Sequence, residues 1–243
     1  MLVQSAAPSE AGAQSCGSLA QAGQVFFGIA VNGQCTDLSG MVSPTGKPGV
    51  NQASGTVNVG GGELTVNALW DEDPFITFGL TTTNLQPGLT TYSFFFATPI
   101  VPAQYTYAQS SFGVTVTPGV AGSSTVDNSA MYPSFVSGYA GTGGAPTNLG
   151  VDNGFTPCTA TTVTGTQTCN YNVVSNVFAP TFFNELRALI TYTQTDAQSV
   201  VSITGRVDIL EVPPSTTIPE PSAFFLMAAG LGAVGVMARR ARR

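Results

Sequence analysis

Two runs late in the chain alternate with a period of two, and this most limits the fold. Leu186, Ala188, Ile190 and Tyr192 fall on one side of an extended segment, with Arg187, Leu189 and Thr191 on the other. Val201, Ile203, Val207 and Ile209 then alternate with Ser202, Thr204, Arg206 and Asp208. A period of two is the signature of a strand with one buried face. Upstream, 56–59 and 63–69 alternate in the same way, and 24–31, 75–83, 91–97, 105–108, 112–117 and 171–178 also read as strands. Turn residues separate these segments: Asn32-Gly33, the Gly60–Gly62 triplet, Pro87-Gly88 and Pro118-Gly119. The spacing predicts a loop over 40–53, loop over some of the Gly/Ser/Asn-rich stretch 122–154, and a helical turn or bulge at 180–185. Cys158 to Cys169 reads as a hairpin, and Thr195–Gln198 as a hairpin loop. Roughly ten to twelve short strands with close turns predict an all-β, antiparallel β-sandwich or jelly-roll-like domain over residues 8–212.

Composition excludes several functions. Charged residues are 8% of the chain, and there is no histidine. The Ser-His and Cys-His nucleophile pairs and imidazole metal sites are therefore absent. Of seven basic residues, four are Arg239, Arg240, Arg242 and Arg243. Before Pro219 only Lys47, Arg187 and Arg206 stand against twelve acids, a net charge of −9. A domain with three cations has no basic patch, so no nucleic-acid partner is expected.

The end of the chain differs from the rest. Residues 213–218 form a Pro/Thr linker, stiff and extended. Pro219-Glu220-Pro221 follows, then an uncharged apolar run over 222–238, then the arginines within 239–243. The sixteen residues 223–238 would span about 24 Å as a helix, and Ser222 and flanking arginine stems extend that reach toward a bilayer core of roughly 30 Å. The run reads as one transmembrane helix, and the arginines place its C-terminus in the cytoplasm. Ala228 and Gly232 have the spacing of small residues that lets membrane helices approach closely.

This order of Pro219-Glu220-Pro221, short apolar helix and terminal arginine cluster resembles the PEP-CTERM sorting domain. The resemblance covers about a tenth of the chain. It implies an exported bacterial protein held in the inner membrane and processed near Pro219–Pro221 by an exosortase. It also implies a place at the cell surface or in an extracellular polysaccharide matrix. Met1 to Ala7 lacks a basic start and a long apolar stretch, and reads as the remnant of a signal peptide. An in-frame start upstream is expected.

With export implied, the cysteines read as two local disulfides, Cys16 with Cys35 and Cys158 with Cys169, among three connectivities. Neither spacing suits a zinc or redox motif.

Other candidate sites are weak. Asp71, Glu72 and Asp73 are the densest acidic cluster and the calcium candidates, Asp71 and Asp73 foremost, but no Asp-x-Asp-x-Asp-Gly loop is present and a solvated turn explains them more simply. Asp152 and Asn153 are turn residues first. Glu63, Glu185 and Glu211 are not visibly paired, as a glycosidase requires. Gly141–Gly144 lacks the strand-to-helix setting of a phosphate loop. Tyr92, Phe94, Phe96, Tyr105 and Tyr107 could stack on sugars, although core packing explains aromatics at this spacing more simply. The expectation is a non-enzymatic surface or matrix protein without cofactor, in a structural or interaction role. The alternative is a lectin-like carbohydrate-binding module.

Overall fold

A computed structural model describes residues 16, 23–129, 132–142, 146–161 and 165–211. All lie in the first of two units, Met1–Val212 and Pro213–Arg243. Pro219–Pro221, the span 222–238, the arginines of 239–243 and the start 1–7 lie outside the described residues.

The described chain is all antiparallel β. Its strands are β1 (Phe26–Val31), β2 (Gln34–Asp37), β3 (Val42–Pro44), β4 (Val50–Val59), β5 (Gly62–Asp71), β6 (Phe75–Asn84) and β7 (Thr90–Thr117). They continue as β8 (Ser124–Asp127), β9 (Val136–Gly141), β10 (Thr147–Asn148), β11 (Cys158–Ala160), β12 (Gln167–Gln194) and β13 (Val200–Leu210). The two tight hairpins form at turn chemistry that suits them. Asn32 and Gly33 have φ of 49° and 82°, and Gly60 and Gly61 have 54° and 82°. Two successive positive φ values match the twist of a two-residue hairpin loop.

β7 and β12 are each 28 residues long and run through two layers. In the first layer, Thr90–Pro99 of β7 pairs with Glu185–Gln194 of β12. β1 and β2 extend that layer on the β7 side; β9 with β10, and β8 with β11, extend it on the β12 side. In the second layer, the order is β3-β4-β5-β6-β13-β7-β12, using Ala103–Thr117 of β7 and Gln167–Phe183 of β12. The corner falls at Pro99–Pro102, opposite two register shifts, between Val177 and Thr181 and between Phe183 and Glu185. A proline cannot donate to a ladder, and bulges bend strands, so both devices gather where the pairing turns.

This corrects four readings. The prolines do not end a strand, so 91–97, 105–108 and 112–117 are one strand. Residues 42–44 and 50–53 are paired strand rather than loop. Cys158 lies in β11, which pairs with β8 and not with β12, so Cys158–Cys169 is not a hairpin. Thr195–Gln198 carries the chain from one layer to the other, since β13 pairs with β6 and β7. The segment 180–185 is the expected bulge.

The core lies between the layers. Leu64, Val66, Ala68 and Trp70 of β5 and Ile76, Phe78 and Leu80 of β6 face Phe27, Phe94, Phe96, Ile190 and Tyr192. Phe96 stacks on Phe27 at 5.0 Å between ring centroids and lies 5.6 Å from Trp70. Burying each such side chain is worth about 1.5–3 kcal/mol.

Candidate functional site

The sugar-stacking aromatics are interior. Tyr92, Phe94, Phe96 and Tyr105 are buried almost completely, and Tyr107 is 9% exposed. Alternation placed them on one face, and that face is the core. Burial pushes the Tyr92 and Tyr105 phenols up to about 12, with Glu211 and Asp73 adding to the effect at Tyr105. Neither is available as a platform for a ligand.

The acidic cluster is occupied by its own turn. Asp71 Oδ1 accepts the Asp73 N–H at 3.0 Å, and Oδ2 accepts from Lys47 Nζ at 3.2 Å. Among the described residues, no group of three His, Cys, Asp or Glu side chains could hold a metal ion. Asp152 receives the Asn148 amide, at 3.1 Å to Oδ2, and Asn153 donates to the Asn172 carbonyl at 2.8 Å. Glu185 is locked to Arg187, while Glu63 and Glu211 lie on other strands or beyond them. Both cysteine pairs are closed as disulfides, with Cα separations of 5.5 Å for Cys16–Cys35 and 6.0 Å for Cys158–Cys169.

One end of the sandwich is closed by a buried polar network. Thr82 bonds the Tyr192 hydroxyl at 2.6 Å and donates to Gln194 Oε1 at 3.2 Å. Gln194 Nε2 donates to the Ser199 carbonyl and Oγ, both at 2.7 Å. Asn84 bridges Gly88 and Asp196 carbonyls, and its Oδ1 accepts from Thr90. These groups satisfy one another, as buried polar groups must. They fix the layer-crossing loop and leave nothing to offer a substrate.

A cleft of about 120 Å³ lies between β10 and β12, lined by Thr147, Asn148 and Leu149 on one side and Asn176, Phe178, Thr181 and Phe183 on the other. Ligand pockets usually measure roughly 300–1,000 Å³. Its amides are already engaged, since Asn176 Nδ2 donates to the Leu149 carbonyl at 2.8 Å.

The remaining candidate is the outer face of the second layer. Successive registers place Thr56, Thr65, Thr81, Ser202, Thr115 and Thr168 in one row across β4, β5, β6, β13, β7 and β12. Three cross-strand pairs hold their hydroxyls: Thr56 to Thr65 at 2.9 Å, Thr81 to Ser202 at 2.9 Å, and Thr115 to Thr168 at 3.1 Å. The adjacent row reads Ser54, Asn67, Gly79, Thr204, Gly113, Asn170. These twelve positions contain no charged residue. Charge appears only beyond them, at Glu63 on one side and at Arg206 on the other. At about 4.8 Å between strands, each row runs roughly 24 Å. The candidate residues named from the sequence do not include this face, because it exists only through the register of six strands.

Residues 217–243 match the family model described as the PEP-CTERM protein-sorting motif. No curated protein matches the chain. Similar solved structures include a carbohydrate-binding module in complex with β-1,4-galactotriose, at 12% identity, covering 70% of this chain and 87% of that one with a TM-score of 0.25. A structure of carbohydrate-binding modules from the β-sandwich superfamily matches at 8% identity, covering 77% and 74%, with a TM-score of 0.29. A family 11 carbohydrate-binding module from Clostridium thermocellum matches at 6% identity, covering 76% and 96%, with a TM-score of 0.25. None of these likenesses transfers a ligand to this chain.

Proposed function

Because the chain carries a PEP-CTERM protein-sorting motif at residues 217–243, we propose that it is an exported protein sorted by an exosortase, with a structural or interaction role at the cell surface or in the surrounding matrix. The motif is the single observation that carries this reading. The tail engages the inner membrane through 222–238 with the arginines on the cytoplasmic side, and cleavage near Pro219–Pro221 releases or transfers the β domain. Among the described residues no helix is long and apolar enough to cross a membrane, and the tail lies outside them.

The rest of the molecule supports a non-enzymatic role. The polar network at the end of the sandwich is spent on its own hydrogen bonds, and the carboxylates are dispersed or paired within the fold. The two disulfides suit an oxidising compartment. The domain would then act through a surface, and its neutral outer face is the part built for contact. Fractionating cells and following the protein with and without the exosortase gene tests the reading. Accumulation in the inner membrane without the enzyme is expected; unchanged delivery to the surface contradicts it.

A second reading, a lectin-like carbohydrate-binding module, is favoured by that same uncharged face and not by the aromatic residues, which are buried.

A further inference from the structure

We infer that the outer face of the second layer binds a neutral polysaccharide, laid across the strands along the row Ser54, Asn67, Gly79, Thr204, Gly113 and Asn170. This rests on the reading of that face as the interaction surface, and names its ligand class.

The two rows differ in what they have left to give. In the threonine row, each pair spends one O–H on its neighbour, so the hydroxyls are held in place. Cross-strand Thr pairs stabilise a sheet by about 0.2–1 kcal/mol each, which explains the threonines without any ligand. It does not explain the adjacent row. There Ser54, Asn67, Thr204 and Asn170 have no side-chain partner among the described residues. They project into solvent with donors and acceptors both open.

Gly79 and Gly113 interrupt this row in two central strands. Neither has a positive φ, and neither sits at a register shift. A Cβ at Gly113 would meet the end of the Asn170 side chain at 3.0 Å and the Cys169 carbonyl at 3.7 Å, and one at Gly79 would lie 3.3 Å from the Asn67 carbonyl. Glycine inside a strand weakens it, and marks either a distortion or a close approach by something else. Neither glycine is itself at a shift; the nearest, between Tyr171 and Val174 of β12, begins one pair beyond Gly113 and Asn170. The two glycines flank Thr204 and lower the surface beside the threonine ridge, leaving a shallow trough with polar groups along its floor.

The ligand's chemistry follows from the lining. The row carries no cation, so it does not select an anionic polymer. It has no apolar side chain, so it does not select a lipid or a hydrophobic peptide. Hydroxyls and carboxamides that donate and accept match a partner that does the same, repeated over roughly 24 Å. A neutral polysaccharide is such a partner. Each hydrogen bond exchanged for water contributes only about 0.5–1.5 kcal/mol, and association itself costs more than a few such bonds return. The face therefore holds a polymer that engages the whole row and holds short oligosaccharides weakly. The rigid threonine ridge lowers the ordering cost of that engagement.

The test is co-sedimentation of the full-length chain, in mild detergent, with microcrystalline cellulose and with insoluble mannan. Alginate gel serves as the anionic control and soluble tetrasaccharides as competitors. Saturable retention on at least one neutral polymer is expected, unchanged in about 1 M salt where charge contacts are screened, and not displaced by tetrasaccharide. Gly113→Val fills the trough with a residue that strands favour, so its thermal stability should not fall. Its partition onto the polymer should fall about tenfold, the scale of losing a well-made contact. The paired variant Asn67→Ala with Asn170→Ala should show the same loss. Retention on neither polymer overturns the assignment, as does retention that these variants leave intact or that salt abolishes. Self-association measured by sedimentation, if the variants change that alone, assigns the face to a second copy instead and also overturns it. If the variants release the protein from cell-surface material without changing polysaccharide retention, the interaction surface stands and its ligand class is wrong. If they change neither, both readings fail.

Discussion

Arg187 and Glu185 sit two residues apart on one face of β12 and form a bidentate pair, Nε to Oε1 at 2.6 Å and Nη2 to Oε2 at 3.0 Å. Both are buried, and the guanidinium lies 6.0 Å from the Phe95 ring centre. The pair lies just past the register shift where β12 enters the first layer. Arg187→Ala leaves a carboxylate buried without its cation, and should cost about 3–5 kcal/mol. Glu185→Leu combined with Arg187→Met should restore stability to the wild-type level or above, since buried pairs seldom outperform apolar packing. Urea denaturation of the three proteins checks this. A double variant as unstable as Arg187→Ala would contradict it.

Tyr92 and Tyr192 pack with ring centres 5.6 Å apart, yet their hydroxyls differ. Tyr192 bonds Thr82 at 2.6 Å, whereas the buried Tyr92 hydroxyl has no partner among the described residues. A buried hydroxyl without a partner costs about 1–3 kcal/mol, while an ordinary hydrogen bond contributes about 1 kcal/mol. Tyr92→Phe should therefore leave the protein as stable or more so, and Tyr192→Phe should destabilise it by about 1 kcal/mol. Thermal melts of both variants show whether the signs are opposite.

Asp208 titrates above the usual carboxylate value of 3.8, because burial outweighs the opposing help from Gln109 and Arg206. The folded state thus holds this proton more tightly than the unfolded chain. Its contribution to stability is complete below 3.8 and is lost as pH rises through the folded value. Asp208→Asn removes that loss. The stability difference, variant minus wild type, should rise as pH is raised from below 3.8 and then level off. Denaturation midpoints across that range measure it; a difference that falls with pH would contradict the assignment.

The Cys158–Cys169 bridge joins β11 to β12, which pair with different partners. Closing a loop of this size contributes about 3 kcal/mol in the chain-entropy picture. Replacing both cysteines by serine should lower stability by about 2–3 kcal/mol. The fold should persist, because β8 and β7 still hold the two strands through their ladders. Near-ultraviolet dichroism reports that persistence.

Much of the layer structure was legible in alternation. Leu64 to Trp70, Ile76 to Leu80 and Val201 to Ile209 each place their apolar positions inward as their period requires. What alternation does not contain is which layer a strand joins. Thr195–Gln198 resembles a hairpin loop locally, but its flanking strands take different neighbours. Pro99 and Pro102 read as strand ends because a proline ends most ladders; at the corner the pairing tolerates them. Tyr92, Phe94 and Phe96 were legible as one face, but periodicity alone cannot say whether that face is core or surface. The neutral row is the least legible feature. Asn67 and Asn170 lie more than a hundred positions apart and meet on one surface only through four registers.

The most direct test of the account is mass spectrometry of the C-terminus of the protein recovered from the cell surface. Cleavage near Pro219–Pro221 predicts a terminal peptide that ends in that region and lacks Arg239–Arg243. A surface-exposed form that still ends in Arg243 would contradict it.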